Sequence, residues 1–181
     1  MSSKEIESAS QTDYIEMEPI SRTLGEIQKG CCILLSEMIK EEFIQLELEV
    51  SDWEEAIRRS AEPLLNGGKI TAEYIEKIIE TTRTSGPYIV ITKHVALPHA
   101  PTQYGALDLA MGITTLKTPI ISGNKSNDPV KYLFCMSAKD SETHLESMAE
   151  LVNLLTDQKF YQLLDTAKHP ADILNYIIEN E

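Results

Sequence analysis

Four histidines, His94, His99, His144 and His169, are the residues of this chain best suited to do chemistry. A neutral imidazole can act as a nucleophile or carry a proton near neutral pH. His99 follows the short apolar run V-A-L-P, whose proline ends a predicted strand and restricts the backbone. Such a position suits a group that must meet a reacting atom with small error. A hydrogen-bonded structural histidine is the alternative.

His144 falls in the first turn of a predicted helix, where free backbone N–H groups and the helix dipole attract anions. An ordinary surface histidine is the alternative. The strand predicted over Val130–Ala138 would bring this turn close to His99, because ligands of open α/β sheets gather at the carboxyl ends of strands. One imidazole would then be the nucleophile, and the other would donate a hydrogen bond to a transferring phosphate.

Phosphoryl transfer also calls for a nearby cation, and Arg83 is the candidate. It ends the helix that precedes His99, and its planar guanidinium suits phosphate. A cation that compensates the helix C-terminus is the alternative. Lys93 either adds positive potential or is a solvated lysine, and His169, before Pro170, is predicted to lie where a helix begins.

Composition narrows the remaining function classes. The 181 residues carry a net charge of -13 and are 42% hydrophobic, which predicts one globular domain and argues against nucleic acid or an anionic membrane as partner. No apolar run reaches the roughly 20 residues of a membrane span, and no signal peptide is recognisable, so a cytoplasmic location without membrane insertion is expected. Motifs for zinc, nucleotide or dinucleotide binding are missing from the sequence, and neither a cofactor nor a metal is expected. The three cysteines, Cys31, Cys32 and Cys135, are interpreted as small buried apolar residues.

Apolar periodicity predicts alternating strands and helices, and thus an α/β fold, an α/β/α sandwich with a mixed sheet. Residues 1–30 are predicted to form a poorly ordered or loosely packed extension, and residues 31–181 the domain. The sequence also predicts a helix over Ile27–Phe43, Ser51 as the N-cap of the next helix, and Pro63 bending or shortening that helix. The inward face of the helix that carries His144 is predicted to contain Leu145, Met148, Ala149, Val152 and Leu155.

The stretch V-A-L-P-H-A around His99 resembles the phosphohistidine signature of the mannitol/fructose-type enzyme IIA domains of the bacterial phosphotransferase system (PTS). The preceding G-P-Y-I-V-I looks most like the ascorbate-type branch, and D-S-E-T-H-L around His144 looks like the segment with the family's second active-site histidine. The likeness spans about Phe43 to the C-terminus. One departure is His94, where ascorbate-type members typically have glycine. Histidine tolerates a positive φ better than most residues, so the turn can form with His94 in it, and whether His94 alters the turn is left open. A second phosphorylation site at His94 is a minor alternative.

The resemblance implies a phosphotransferase in which His99 accepts a phosphoryl group from the carrier protein HPr and passes it to a cysteine of a cognate IIB protein. His144 would stabilise the phosphate, and Arg83, which falls where mannitol-type members carry an active-site arginine, would neutralise its charge. The pathway would serve a IIC permease and carbohydrate uptake, with an L-ascorbate-like sugar as one candidate. The alternative is a regulatory IIA-like domain that controls a partner such as a transcription antiterminator. The oligomeric state, a homodimer included, is left open.

Overall fold

A five-stranded mixed sheet runs through the centre of the domain in the computed structural model, which describes residues 33–181. The strands are β1 (Ile44–Leu48), β2 (Val90–Thr92), β3 (Val95–Ala96), β4 (Ala110–Ile120) and β5 (Val130–Ser137). Their order is β1-β4-β5-β3-β2, with β1 parallel to β4, β3 parallel to β5, and the other two pairs antiparallel. Central strand β5 is buried on both faces, as its continuous apolar run predicts.

Helices cover both faces of the sheet. They are α1 (Leu35–Met38), α2 (Trp53–Asn66), α3 (Ala72–Ser85), α4 (Ser141–Leu154), α5 (Gln158–Thr166) and α6 (Pro170–Glu179). Helices α2 and α3 pack on one face around Ile57, Leu64 and Ile78, and the other four helices share a second apolar cluster around Phe134 and Phe160. This arrangement confirms the α/β/α sandwich. No helix within residues 33–181 is long and apolar enough to cross a bilayer.

The N-terminal part of the domain differs from the sequence prediction. Instead of one helix running to Phe43, the structure has the single turn α1 and a 3-10 turn over Glu41–Phe43. Both turns are stabilised by the burial of Leu35, Met38 and Phe43. This is a tertiary effect, which the spacing of apolar residues along the sequence cannot predict. The beginning of the predicted helix, the predicted extension 1–30, and Cys31 and Cys32 lie outside the described residues. Cys135 is fully buried among apolar neighbours, and this burial raises the pKa of its thiol to about 12.

Helix α2 shows two further differences. Its N-cap is Asp52, whose carboxylate accepts from the Glu55 N–H at 2.9 Å, whereas Ser51 bonds to the Glu55 side chain. Pro63 does not shorten the helix, which continues to Asn66. A proline cannot donate to the carbonyl four residues earlier, and here the Gln45 side chain donates to the Arg59 carbonyl at 2.8 Å instead.

Candidate functional site

An open pocket of about 500 Å³ lies where β3 and β5 end and α4 begins. Its walls come from the end of α3, the segment before β2, the segment after β3 and the first turn of α4. His99 and His144 line it together with Tyr88, Ser141 and Leu145. This confirms that the two sequence segments meet at one edge of the sheet, as expected of strand carboxyl ends.

The His99 side chain is held in a defined orientation. Its Nδ1 lies 2.8 Å from the Leu97 carbonyl oxygen, which can only accept a hydrogen bond, so Nδ1 carries the proton in the neutral ring. The lone pair is therefore on Nε2. Burial lowers the pKa of His99, which favours the neutral imidazole at pH 7. A half-buried, neutral ring with its lone pair on Nε2 is a competent nucleophile.

The backbone around His99 is anchored on both sides. The Pro98 carbonyl accepts from the Met136 N–H on β5 at 3.0 Å, and the Tyr88 hydroxyl donates to the His99 carbonyl at 2.8 Å. The hydroxyl of Tyr74, a buried residue of α3, accepts from the Ala100 N–H at 3.1 Å and lies 2.9 Å from the Met136 carbonyl. These bonds fix the position from which the imidazole would react.

His144 is the fourth residue of α4, and its ring lies beside that of His99. The two ring centroids are 5.1 Å apart and the rings are inclined at 47°. Asp140 caps the helix by accepting from the Thr143 N–H at 2.8 Å, which leaves the N–H groups of the first residues at the pocket's edge. Burial, and to a lesser degree the neighbouring His99, lowers the pKa of His144. Both imidazoles are therefore neutral at pH 7.

Arg83 does not join the two histidines. Its guanidinium makes a bidentate ion pair with Glu54 at the start of α2, with Nε to Oε1 at 2.6 Å. Thr81, two residues earlier on α3, does line the pocket. Residues two positions apart on an α-helix are rotated by about 200° around its axis, so Thr81 and Arg83 lie on nearly opposite sides of α3. Because Thr81 faces the pocket, Arg83 faces α2. The expected convergence of two imidazoles and a guanidinium is thus corrected to a pair of imidazoles.

The remaining sequence candidates lie elsewhere. His94 sits in the tight turn between β2 and β3 with φ 67°, and its ring Nδ1 is 2.7 Å from the Pro129 carbonyl oxygen. The turn forms with histidine at this position, and His94 and His99 lie at opposite ends of β3. Lys93 is an exposed residue of the same turn. His169 immediately precedes α6, and its N–H donates to Asp172, which confirms its predicted place at a helix start.

Sequence reasoning missed the two tyrosines of the site. The edge of the Tyr88 ring packs against the His99 ring, with centroids 5.7 Å apart and planes at 72°. Nothing in the sequence singles out Tyr74, which is one position of a predicted helix. Its anchoring role depends on which strand end lies above it, and helical spacing carries no such information. Within residues 33–181, no three His, Cys, Asp or Glu side chains are grouped so as to hold a metal ion.

Comparison with known proteins identifies the class. The family described as "Phosphoenolpyruvate-dependent sugar phosphotransferase system, EIIA 2" matches residues 37–180. The chain belongs to this family of PTS enzyme IIA proteins.

Three relatives from Escherichia coli K12 illustrate the similarity. The phosphotransferase IIA component SgcA is 36% identical over 133 residues, which cover 74% of this chain and 87% of SgcA. The mannitol-specific cryptic phosphotransferase enzyme IIA component is 34% identical over 145 residues, or 78% of this chain and 97% of that protein. The ascorbate-specific EIIA component is 30% identical over 135 residues, or 74% and 88%. The resemblance found in the sequence is confirmed at the level of the family.

Solved structures agree with the fold. The PTS IIA protein PtxA of Streptococcus mutans superposes with a TM-score of 0.75 at 29% identity, covering 81% of this chain and 94% of PtxA. The enzyme IIAMtl of the E. coli complex with phosphorylated enzyme IIBMtl superposes with a TM-score of 0.68 at 20% identity, covering 78% of this chain and 99% of that chain, which shows a shared fold.

Proposed function

We propose that this chain is a phosphocarrier for carbohydrate uptake, in which His99 accepts a phosphoryl group from the phosphohistidine of HPr. His99 then passes the group to a cysteine of a cognate IIB protein that serves a IIC permease. The observation that carries the proposal is the pairing of the His99 and His144 rings, 5.1 Å apart, in an open pocket. We place the reaction in the cytoplasm, where this carrier chemistry would meet its protein partners.

The first transfer is a displacement at phosphorus. The Nε2 lone pair of His99 attacks the phosphorus of phospho-HPr, the donor's N–P bond breaks, and its electron pair returns to the donor imidazole. The product carries the phosphoryl group on Nε2, because Nδ1 is occupied by its bond to the Leu97 carbonyl. The lowered pKa of His99 supports this step, because only the neutral ring has a lone pair to donate.

His144 would stabilise the phosphoryl group after the transfer. A negative charge beside an imidazole favours the protonated ring, so phosphorylation of His99 would raise the pKa of His144 and draw a proton from solvent. The imidazolium could then donate to a phosphoryl oxygen. Among residues 33–181, no lysine or arginine lines the pocket, which makes His144 its strongest source of positive charge. The first turn of α4 would add its backbone N–H groups.

The second transfer reverses the roles. A cysteine thiolate of the IIB protein attacks phosphorus, the N–P bond of phospho-His99 breaks, and the electron pair stays on Nε2. The relative in complex with phosphorylated IIBMtl supports such a partner through its shared fold. Mannitol and ascorbate appear in the names of the relatives. An L-ascorbate-like sugar remains one candidate, since the chain itself would contact only proteins.

The test is labelling with [32P]phosphoenolpyruvate, enzyme I and HPr. The wild type should acquire one acid-labile, alkali-stable phosphoryl group on His99, as located by mass spectrometry. His99→Ala should abolish it, and His144→Ala should remain folded but label roughly 100-fold more slowly, the scale of losing one transition-state donor. His169→Ala, which alters a histidine outside the pocket, is the matched control and should label normally. Undiminished labelling of His99→Ala would refute the assignment.

A chase separates transport from regulation. Adding a IIB protein encoded beside this chain should move the label from His99 to a cysteine of that protein. A label that stays on His99 while a regulator's activity changes would favour the regulatory alternative.

A further inference from the structure

Helix α4 carries an apolar stripe that the fold leaves in solvent. Leu145 is 67% exposed and Val152 is 52% exposed, and Ala149 between them is also exposed. These three residues fall within about 60° of one another around the helix axis. The side chains that α4 buries are Ser147 and Leu151, so the inward face predicted from the sequence is wrong for the stripe residues.

The stripe begins at the pocket. Leu145 follows His144 and itself lines the pocket beside His99. Val152 lies eight residues beyond His144, or about 12 Å further along the helix axis. A partner protein that covers the rim of the pocket at Leu145 can therefore also contact the rest of the stripe, which lies away from the reacting atoms.

A row of carboxylates borders the stripe. Glu142, Glu146 and Glu150 repeat every four residues on the adjoining side of α4, and none of the three forms an ion pair with another residue of the described domain. An apolar strip beside unpaired negative charge is complementary to an apolar patch bordered by lysine or arginine. A second copy of this chain, with its net charge of -13, is a poor match for such a row.

We propose that the stripe Leu145, Ala149 and Val152, together with the glutamate row, is the docking surface for the phosphoryl-donor protein. This rests on the proposed function, because a protein that delivers its phosphoryl group to Nε2 of His99 must cover the rim of the pocket. From the apolar stripe and the glutamate row of α4, we expect the partner to have an apolar patch next to its phosphorylated residue, with basic side chains along one border of that patch. Docking along α4 would hold the donor while the two reacting nitrogens align.

Val152→Glu tests the stripe, with Ile178→Glu as matched control. Both residues are 52% exposed and lie on helices on the same side of the sheet, but Ile178 belongs to α6 and is not part of the stripe. The measurement is the initial rate of His99 labelling against the concentration of phospho-HPr. Val152→Glu should raise KM about tenfold and leave kcat within about twofold, as expected for loss of one interface contact far from the chemistry. Ile178→Glu should match the wild type.

A small donor separates docking from reactivity. Phosphoramidate needs no protein surface, so it should label His99 equally in the wild type, Val152→Glu and Ile178→Glu. Replacing Glu142, Glu146 and Glu150 together by glutamine should raise KM for phospho-HPr at low salt and flatten its dependence on ionic strength, because the lost attraction is the part that salt screens.

If Val152→Glu keeps the wild-type KM while His99 is labelled normally, the docking surface is overturned and the phosphocarrier function stands. If Val152→Glu changes the sedimentation of the chain but not KM, the stripe serves a second copy and the proposal is also overturned. If phospho-HPr does not label wild-type His99 while phosphoramidate does, the proposed function fails first.

Discussion

At the scale of single residues, the structure gives His99 a defined tautomer through one backbone bond, from Nδ1 to the Leu97 carbonyl. The proline before His99 predicts restricted backbone freedom, but it does not predict which ring nitrogen is free. That choice depends on where the Leu97 carbonyl points once the strand has paired.

Tyr88 is predicted to position His99. In Tyr88→Phe the aromatic ring stays, but the hydroxyl bond to the His99 carbonyl is lost. Labelling of His99 by phospho-HPr should slow by about two- to tenfold, the kinetic equivalent of one hydrogen bond. The loss should appear in kcat, and labelling by phosphoramidate should slow in parallel, because orientation rather than docking is impaired. Tyr161→Phe on α5 is the control. Equal labelling rates in the two variants would show that the Tyr88 hydroxyl does not position His99.

Arg83 is predicted to be dispensable for the transfer. Arg83→Ala breaks an exposed ion pair with Glu54, which is worth little in stability. The rate of His99 labelling should stay within about twofold of the wild type, since the guanidinium does not line the pocket. A decrease of about 100-fold, typical of losing a group that stabilises the transition state, would show that Arg83 leaves Glu54 when phosphate arrives.

At the scale of elements, α4 shows how a helical pattern can mislead. Leu145, Ala149 and Val152 repeat at helical spacing and were predicted to face the core, yet the helix buries the side that holds Ser147 and Leu151. Periodicity identifies a helix and an apolar side, but it cannot say whether that side meets the sheet or a partner. The helix itself was predicted correctly, with His144 in its first turn.

The loop that follows His99 depends on Gly105. This residue has φ 114°, and a Cβ there would lie 1.9 Å from Thr71 Oγ1. An alanine in a left-handed conformation costs about 1–2 kcal/mol. Gly105→Ala should lower the free energy of unfolding by more than this amount, because Thr71 must also move. Gly123→Ala is the control, with φ 96° and open space around the added Cβ, so it should show the backbone cost alone. Chemical denaturation measures both, and equal losses would mean that Thr71 yields freely.

At the scale of the whole molecule, the family match covers residues 37–180, and this part of the chain contains both His99 and His144. Deletion of residues 1–32 should therefore leave a folded protein that labels on His99. Deletion of residues 1–40 should be destabilising, because it also removes Leu35, Met38 and Ile39, which are buried against the sheet. Thermal unfolding and labelling of both truncations test this boundary. A first truncation that fails to fold would make residues 1–32 part of the domain.

Apolar periodicity and short motifs were enough to predict the order of the main elements from β1 onward, the α/β/α sandwich and the family. These depend on local periodicity, on proline and cap positions, and on motif residues that lie close together in the chain. Packing between elements turns Arg83 toward Glu54, brings Tyr88 and Tyr74 to the His99 segment and leaves the stripe of α4 in solvent. Each of these depends on how an element is rotated about its axis against its neighbours, and that rotation is set by packing between residues far apart in the sequence.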